Sequence, residues 1–165
     1  MDSRLIAYSY LKEDSKKCDY EIITDLLASD MGLAMHYVKH ICELERLVAL
    51  VYHANGSIRG RCAITENDTL WLLSVYDKYQ SLVDNHSNFY LPIGCKGASH
   101  LHHLRSMTKM CVRLAYKIEK EQIKVNSLLI DFLNLLSNTL FLMALYENKC
   151  ENVTEVVFES KSYDL

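Results

Sequence analysis

The stretch LLIDFLNLLSNTLFLMALY, residues 128–146, is nearly apolar and decides the fold class of the chain. It contains neither proline nor glycine and is long enough for about five helical turns. The polar side chains inside it recur at near-helical spacing and are Asp131, Asn134 and Asn138. Because each polar group is costly in hydrocarbon, we predict a buried central helix over 127–148, capped by Asn126, rather than a membrane span.

The composition of the whole chain also favours helices. Its 165 residues include only five glycines and one proline, and the glycines are not clustered. A β-rich fold needs such residues at most turns, and a glycine-rich phosphate loop or dinucleotide fingerprint needs them close together. We therefore predict an all-α fold, an up-and-down bundle of four to five helices. It forms a single domain over 1–165, in which 1–19 and 149–165 are irregular or short extensions.

Apolar periodicity predicts four further helices besides the central one. Residues 20–40 carry a broad apolar face, and a second helix over 41–54 is stopped by the turn-forming run Asn55-Gly56-Ser57. Another helix covers residues 98–123. The third helix begins after Thr65, because the spacing of Thr65 and Asp68 resembles a capping box, and it runs to about residue 83. The residues that we expect this helix to turn inward are Leu70, Trp71, Leu73, Val75 and Tyr76.

Charge and cysteine usage indicate a cytoplasmic protein. The net charge of −3 predicts no general attraction to nucleic acid or to a membrane surface. Six cysteines are scattered without a C-x-x-C pair, which favours reduced thiols over a disulfide framework. The N-terminal sequence has no long apolar core and no cleavage signal of the secretory kind.

The helix over 98–123 carries a basic stripe between apolar flanks. Arg105, Lys109 and Arg113 recur at a spacing of four and share one face. Cations on a largely buried helix need counter-charges, so phosphate or carboxylate groups of a ligand or partner would suit them. The alternative is a solvated face with ordinary ion pairs. The polar positions of the central helix leave a similar choice between holding a metal-bound phosphate and cross-linking helices.

Five of the seven histidines form two groups whose spacing could suit a metal ion. His36 and His40 are four residues apart, but the segment lacks the glutamate of an H-E-x-x-H site. His100, His102 and His103 cluster at the start of a helix, where only the first and last are helical neighbours. We therefore predict no metal site on the protein itself, and the role of the second group stays open.

Four segments together resemble one enzyme family. The stretch FYLPIGCKGASHLHHLR, residues 89–105, is similar to the F-x-L-P-G-G … A-L-H-x-x-R pattern of ATP:cob(I)alamin adenosyltransferases of the propanediol-utilisation type. Residues 134–148 resemble the N-R-L-S-D-x-L-F helix of that family, and residues 24–32 resemble its V-D-E-L-N-S-A-I-G helix. Residues 64–72 fit the helix that precedes F-x-L-P.

This resemblance implies a five-helix bundle that forms homotrimers with active sites between subunits. It implies transfer of the adenosyl group of ATP to reduced cobalamin, with Mg²⁺ on the triphosphate. Asp25 would pair with Arg105, and Phe89 would pack beneath the corrin and keep its lower ligand away. Asn134 would help to hold ATP and magnesium.

The chain departs from the family pattern on the ATP side. Its N-terminal YSYLKED, residues 8–14, has no glycine where the family has a T-G-D-x-G loop. Lys109 replaces an arginine of the family and has no bidentate reach. Lys109, Arg113 and Lys12 would then supply the charge for phosphate. A divergent adenosyltransferase, a non-catalytic cobalamin-, tetrapyrrole- or nucleotide-binding relative, and a ligand-free structural trimer all remain open.

Overall fold

A computed structural model describes residues 2–84, 86–121 and 123–162. The helices are α1 (Lys16–Ala34), α2 (Leu44–Ser57), α3 (Glu66–Leu82), α4 (Lys96–Lys120) and α5 (Ser127–Cys150), after a 3-10 turn at Ser3–Leu5. The described chain is thus all-α, as predicted, and has five helices of an up-and-down bundle.

The quoted stretch forms the middle of the bundle. Helix α5 packs against α4 and α3, α4 also packs against α1, and α1 packs against α2. Fully buried side chains run along the whole of α5 and include Leu129, Phe132, Leu133, Leu136 and Leu140. In the described chain α5 alone is long and apolar enough to cross a membrane, but 67% of its most apolar window is buried inside the protein. That is the burial of a core helix.

Two helices begin at the capping residues that the sequence predicts. Asn126 caps α5 by accepting a hydrogen bond from the Leu128 amide at 2.9 Å. Thr65 and Asp68 form a reciprocal capping box at the start of α3, with amide-to-side-chain distances of 3.1 and 3.2 Å. Each side chain satisfies an amide that the helix leaves without a carbonyl partner.

The first two helices differ from the prediction. Helix α1 starts at Lys16 under a Ser15 cap and ends at Ala34, so His36 and His40 lie outside it. Helix α2 continues through Ser57 instead of stopping at Asn55. The Asn55 amide donates to the Glu21 carbonyl and the Thr24 hydroxyl on α1, each at 2.7 Å. These bonds to another helix replace the local turn bonds that asparagine usually makes.

Helix α3 exposes two residues that were expected inside. Leu70 and Leu73 are 62% and 44% exposed, whereas Leu72, Val75 and Tyr79 are buried. Val75 is therefore buried as predicted, and Trp71 and Tyr76 are partly buried against the core, while Leu72 and Tyr79 take the inward places expected of Leu70 and Leu73. The Tyr79 hydroxyl also donates to a Glu43 carboxylate oxygen at 2.6 Å.

Candidate ligand-binding site

A polar cleft of about 300 Å³ opens beside helices α3, α4 and α5. Its described lining is Tyr76, His86, Arg105, Lys109, Ser137, Asn138, Phe141 and Leu142. Two permanent cations line it and no carboxylate does. The cleft is therefore suited to a negatively charged group.

Arg105 is the most constrained cation of this cleft. Its guanidinium lies 5.3 Å from the centre of the Phe141 ring, and its buried Nε atom has no hydrogen-bond partner among the described residues. Burial lowers the pKa of Arg105, and burial together with the Arg105 charge lowers the pKa of Lys109. Two partly desolvated like charges destabilise one another, so a counter-anion from outside this subunit would stabilise both.

Asp25 lies on the outer face of α1 and makes no ion pair with Arg105 or any other described residue. The Tyr52 hydroxyl of α2 donates to its Oδ1 atom at 2.7 Å, and this bond raises the pKa of Tyr52. Ile22 and Leu26, its neighbours on the same face, are each 47% exposed. This part of α1 therefore presents a carboxylate held by Tyr52 beside two exposed apolar side chains.

Phe89 projects from the connection between α3 and α4 and is 68% exposed. The C-terminal segment holds its backbone, since the Phe158 amide donates to the Phe89 carbonyl at 2.8 Å. The two phenylalanine rings lie 5.6 Å apart. The bridge between Tyr90 and Val157 continues this short pairing. The segment after α5, predicted to be irregular or a short extension, therefore holds the backbone of Phe89.

Asn148 ties the same connection to the end of α5. Its Oδ1 atom accepts from the Cys95 amide at 3.0 Å, and its Nδ2 atom donates to the Ile93 carbonyl and to Glu155 Oε1 at 3.1 and 2.9 Å. Gly94 has a φ of +143°, and a Cβ there would lie 2.1 Å from Asn148 Oδ1. Only glycine fits this approach.

The remaining predicted site residues lie outside the cleft lining. Asn134 is exposed on α5, where its amide donates to the Ile130 carbonyl at 3.0 Å. Arg113 is exposed on α4 two turns beyond Arg105, and Lys12 is exposed before α1. The structure brings Arg105 and Lys109 together within the cleft.

Sequence reasoning missed three residues that shape these surfaces. Phe141 follows Ser137 and Asn138 at helical spacing, so periodicity offered a signal for it. Tyr52 and Phe158 reach Asp25 and Phe89 from distant parts of the chain, and no spacing rule connects them.

The histidines pair with neighbouring side chains in most cases. His100 stacks on Tyr37 with ring centres 4.6 Å apart, His103 Nε2 lies 3.0 Å from an Asp30 oxygen, and His40 Nε2 lies 2.9 Å from Glu151. Across the described residues, no group of three or more His, Cys, Asp or Glu side chains has the arrangement of a metal site.

His102 is the exception, because it is 2% exposed and neither ring nitrogen has a partner among the described residues. Burial and the charge of Arg105 lower its pKa to about 4, from an ordinary 6.5. The unfolded chain therefore binds one more proton between these values. We expect the free energy of unfolding to fall by about 3 kcal/mol as the pH drops from 6.5 to 4.

The variant His102→Leu checks this assignment by urea titration at a series of pH values. Its stability should lose most of that slope and should rise near pH 5, since leucine needs no hydrogen bond. His36→Leu, at an exposed position, is the matched control. An unchanged slope in His102→Leu would assign the pH dependence to other groups.

The fold and cleft define a helical-bundle protein with a candidate site for an anionic ligand. A sequence profile of the cobalamin adenosyltransferase family matches residues 12–147. The chain belongs to this family. Curated protein sequences yielded no significant match.

Solved structures of a PduO-type ATP:corrinoid adenosyltransferase from Lactobacillus reuteri have the same fold. A phenylalanine-to-alanine variant complexed with cobalamin and ATP has a TM-score of 0.79 and 23% identity, over 89% of this chain and 88% of that chain. A phenylalanine-to-histidine variant complexed with cobalamin and ATP has a TM-score of 0.81 and 22% identity, over 93% and 96%. An arginine-to-lysine variant complexed with ATP has a TM-score of 0.80 and 24% identity, over 88% of each chain.

Proposed function

We propose that this protein is a divergent cytoplasmic corrinoid adenosyltransferase that binds a corrinoid and ATP between the subunits of a homotrimer. The observation that carries the proposal is the pair Arg105 and Lys109, a half-buried arginine and an exposed lysine in a cleft whose described lining contains no carboxylate. Asp25 of a neighbouring copy supplies the counter-charge for Arg105. Phosphate oxygens of ATP supply the counter-charge for Lys109.

The proposed reaction needs a nucleophile, a polarised carbon and a stabilised leaving group. The cobalt of the reduced corrinoid donates an electron pair to C5′ of ATP, the cobalt–carbon bond forms, and the C5′–oxygen bond breaks to release triphosphate. Lys109, Arg113 and Lys12 neutralise the charge on that leaving group, and Asn134 orients it. The described residues offer no three-ligand metal group. Mg²⁺, which would offset further charge, would therefore take most of its ligands from phosphate and water.

Phe89 gives the proposed corrin site its apolar wall. A 68% exposed phenylalanine whose carbonyl is held by the C-terminal segment offers a flat surface to a macrocycle at small cost in ordering. Packed against the lower face of the corrin, the ring excludes an axial ligand and makes the cobalt easier to reduce. Arg105 and Phe141 line the neighbouring cleft.

A second candidate is a non-catalytic relative that carries or senses a corrinoid, another tetrapyrrole or a nucleotide. The glycine-free N-terminal segment favours it, because a segment without glycine has fewer ways to bring backbone amides close to phosphate. A ligand-free structural trimer is the third possibility. The three differ in what they bind and in whether a product forms.

The spectrum of cob(II)alamin with purified protein, with and without ATP, separates these candidates. We expect the signal of four-coordinate cobalt with ATP, and adenosylcobalamin after addition of Mg²⁺ and a strong reductant. A four-coordinate signal without product would favour the binding protein. No signal and no heat of binding would sink both ligand-binding proposals.

The variant Phe89→Ala tests the placement of the corrin in the same assay. We expect it to lower the four-coordinate signal by about tenfold, because water can then reach the lower face of the cobalt. Leu70→Ala, which truncates another strongly exposed apolar side chain, should leave the signal unchanged. An unaltered signal in Phe89→Ala would show that the corrin lies elsewhere.

A further inference from the structure

The N-terminal segment before α1 has no hydrophobic anchor. All of residues 2–14 are exposed. Its order within residues 8–13 comes from two turn bonds, in which the Leu11 amide donates to the Tyr8 carbonyl at 3.4 Å and the Glu13 amide to the Tyr10 carbonyl at 2.9 Å. Because no side chain of this segment enters the core, its position depends on polar contacts with the bundle.

Arg59, in the turn after α2, supplies most of those contacts, and the Tyr8 hydroxyl adds a polar contact with Glu21. Its Nη2 atom donates to Glu13 Oε2 at 2.8 Å, and its Nε atom donates to Glu21 Oε2 on α1 at 2.7 Å. The guanidinium carbon also lies 4.1 Å from the centre of the Tyr10 ring. One side chain thus joins the N-terminal segment, α1 and the end of α2.

The Arg59–Glu21 pair is more shielded from water than an ordinary surface pair, whereas the Glu13 side chain is 35% exposed. The Glu21 side chain is 8% exposed and that of Arg59 is 24% exposed, so water screens their attraction poorly. Burial alone would lower the pKa of Arg59, but the hydrogen bonds to Glu13 and Glu21 raise it well above its ordinary value. The guanidinium stays charged at every pH at which the protein folds.

This anchor continues the α1–α2 surface that carries Asp25. Glu21 precedes Asp25 by one helical turn, and Asn55 and Tyr52 of α2 bind the same face of α1. Fixing Glu13 also fixes its neighbour Lys12, which is exposed and forms no ion pair with any described residue. A mobile lysine would supply charge to a ligand only after ordering its backbone.

We propose that Arg59 is a positioning residue that holds residues 8–13 against α1 and presents Lys12 to the phosphate groups of a nucleotide. The nucleotide part of this inference rests on the proposed function. In this proposal an ion pair, and not a glycine-rich turn, holds the segment in position. The holding of the segment itself is independent of any ligand.

Hydrogen–deuterium exchange of Arg59→Met and of the control Arg61→Met tests the anchor. Arg61 is an exposed arginine two residues away without an ion pair to any described residue. We expect the amides of Leu11 and Glu13 to exchange about tenfold faster in Arg59→Met and at the parent rate in Arg61→Met. Equal exchange in the two variants would overturn the anchor.

Calorimetric titration with ATP tests the nucleotide role. We expect the Kd of Arg59→Met for ATP to rise by about fivefold or more while corrinoid affinity is unchanged, and Arg59→Lys to recover part of the loss. Parent affinity in a variant whose segment exchanges faster would overturn this role. A parent protein that binds no ATP would overturn it together with the proposed function, whereas the exchange result would still decide the anchor.

The variant Glu13→Ala covers the case in which Arg59→Met leaves Glu21 buried without a partner and unfolds the chain. It removes the charge and the hydrogen-bond acceptor at the segment and keeps the Arg59–Glu21 pair. We expect the same faster exchange of the amides of residues 11 and 13 with an unchanged melting temperature. Parent exchange rates in Glu13→Ala would overturn the anchor.

Discussion

We expect Asn148→Ala to lower the free energy of unfolding by about 3 kcal/mol and to release the connection that carries Phe89. Asn148 is fully buried, and its side chain satisfies the Cys95 amide, the Ile93 carbonyl and a Glu155 oxygen. Alanine leaves these groups without partners and opens a small cavity beside Gly94. Urea titration measures the loss in stability, and amide exchange at Cys95 measures the release.

Asn67→Ala is the matched control, because Asn67 is an exposed asparagine on α3. It should change stability by less than about 0.5 kcal/mol. If the corrin packs on Phe89, Asn148→Ala should also weaken corrinoid binding. The loss of affinity should persist under conditions in which the variant is fully folded, so that lost stability does not account for it. A variant as stable as the parent would show that water replaces all three hydrogen bonds.

The sequence predicted the parts of this fold that are determined locally. Asn126 and Thr65 each cap the start of a helix, because their side chains accept hydrogen bonds from amides two or three residues further along the chain. The apolar stretch over 128–146 predicted the central helix because its length and composition suit burial. These signals need no knowledge of the rest of the chain.

The parts that sequence reasoning missed depend on long-range partners. Tyr52 and Asp25 are 27 residues apart, and Arg59 and Glu21 are 38 residues apart. Asn55 ends no helix, since it bonds to α1 instead of to its own turn. Asparagine at this position predicts a turn when only the neighbouring residues are considered. The packing of α1 against α2 shows that its side-chain amide donates to α1 instead.

Arg105 was predictable as a member of a stripe, but its environment was not. Spacing placed Arg105, Lys109 and Arg113 on one face without showing which of them is desolvated. The structure separates them, because Arg105 has a buried atom without a partner whereas Arg113 is exposed. Periodicity treats the three cations alike, but burial differs among them. Arg105 is therefore the cation that most needs an anion from outside the subunit.

Arg105→Met should leave the isolated subunit at least as stable as the parent but abolish its assembly with other copies. Removing a partly buried, uncompensated cation relieves the cost of its burial and its repulsion of Lys109. In the proposed trimer the same change would leave Asp25 without the partner inferred for it, a loss of about 2 kcal/mol or more per contact. Sedimentation distinguishes a trimer from a subunit of 19.1 kDa, and urea titration of the dilute protein reports the stability of the subunit.

Asp25→Asn should weaken assembly in the same way, and the exchanged pair Arg105→Asp with Asp25→Arg should restore part of it. Lys117→Met, which removes an exposed cation from the same helix, serves as the control for assembly. A destabilised Arg105→Met subunit would show that Arg105 finds its counter-charge within its own chain. If Arg105→Met stayed trimeric, Asp25 would have a different role, and the unpartnered Nε atom would belong to the ligand alone. We expect Arg105→Met to keep or raise the stability of the subunit while it abolishes assembly. A residue needed for the fold itself would instead lower the stability of the subunit when it is replaced.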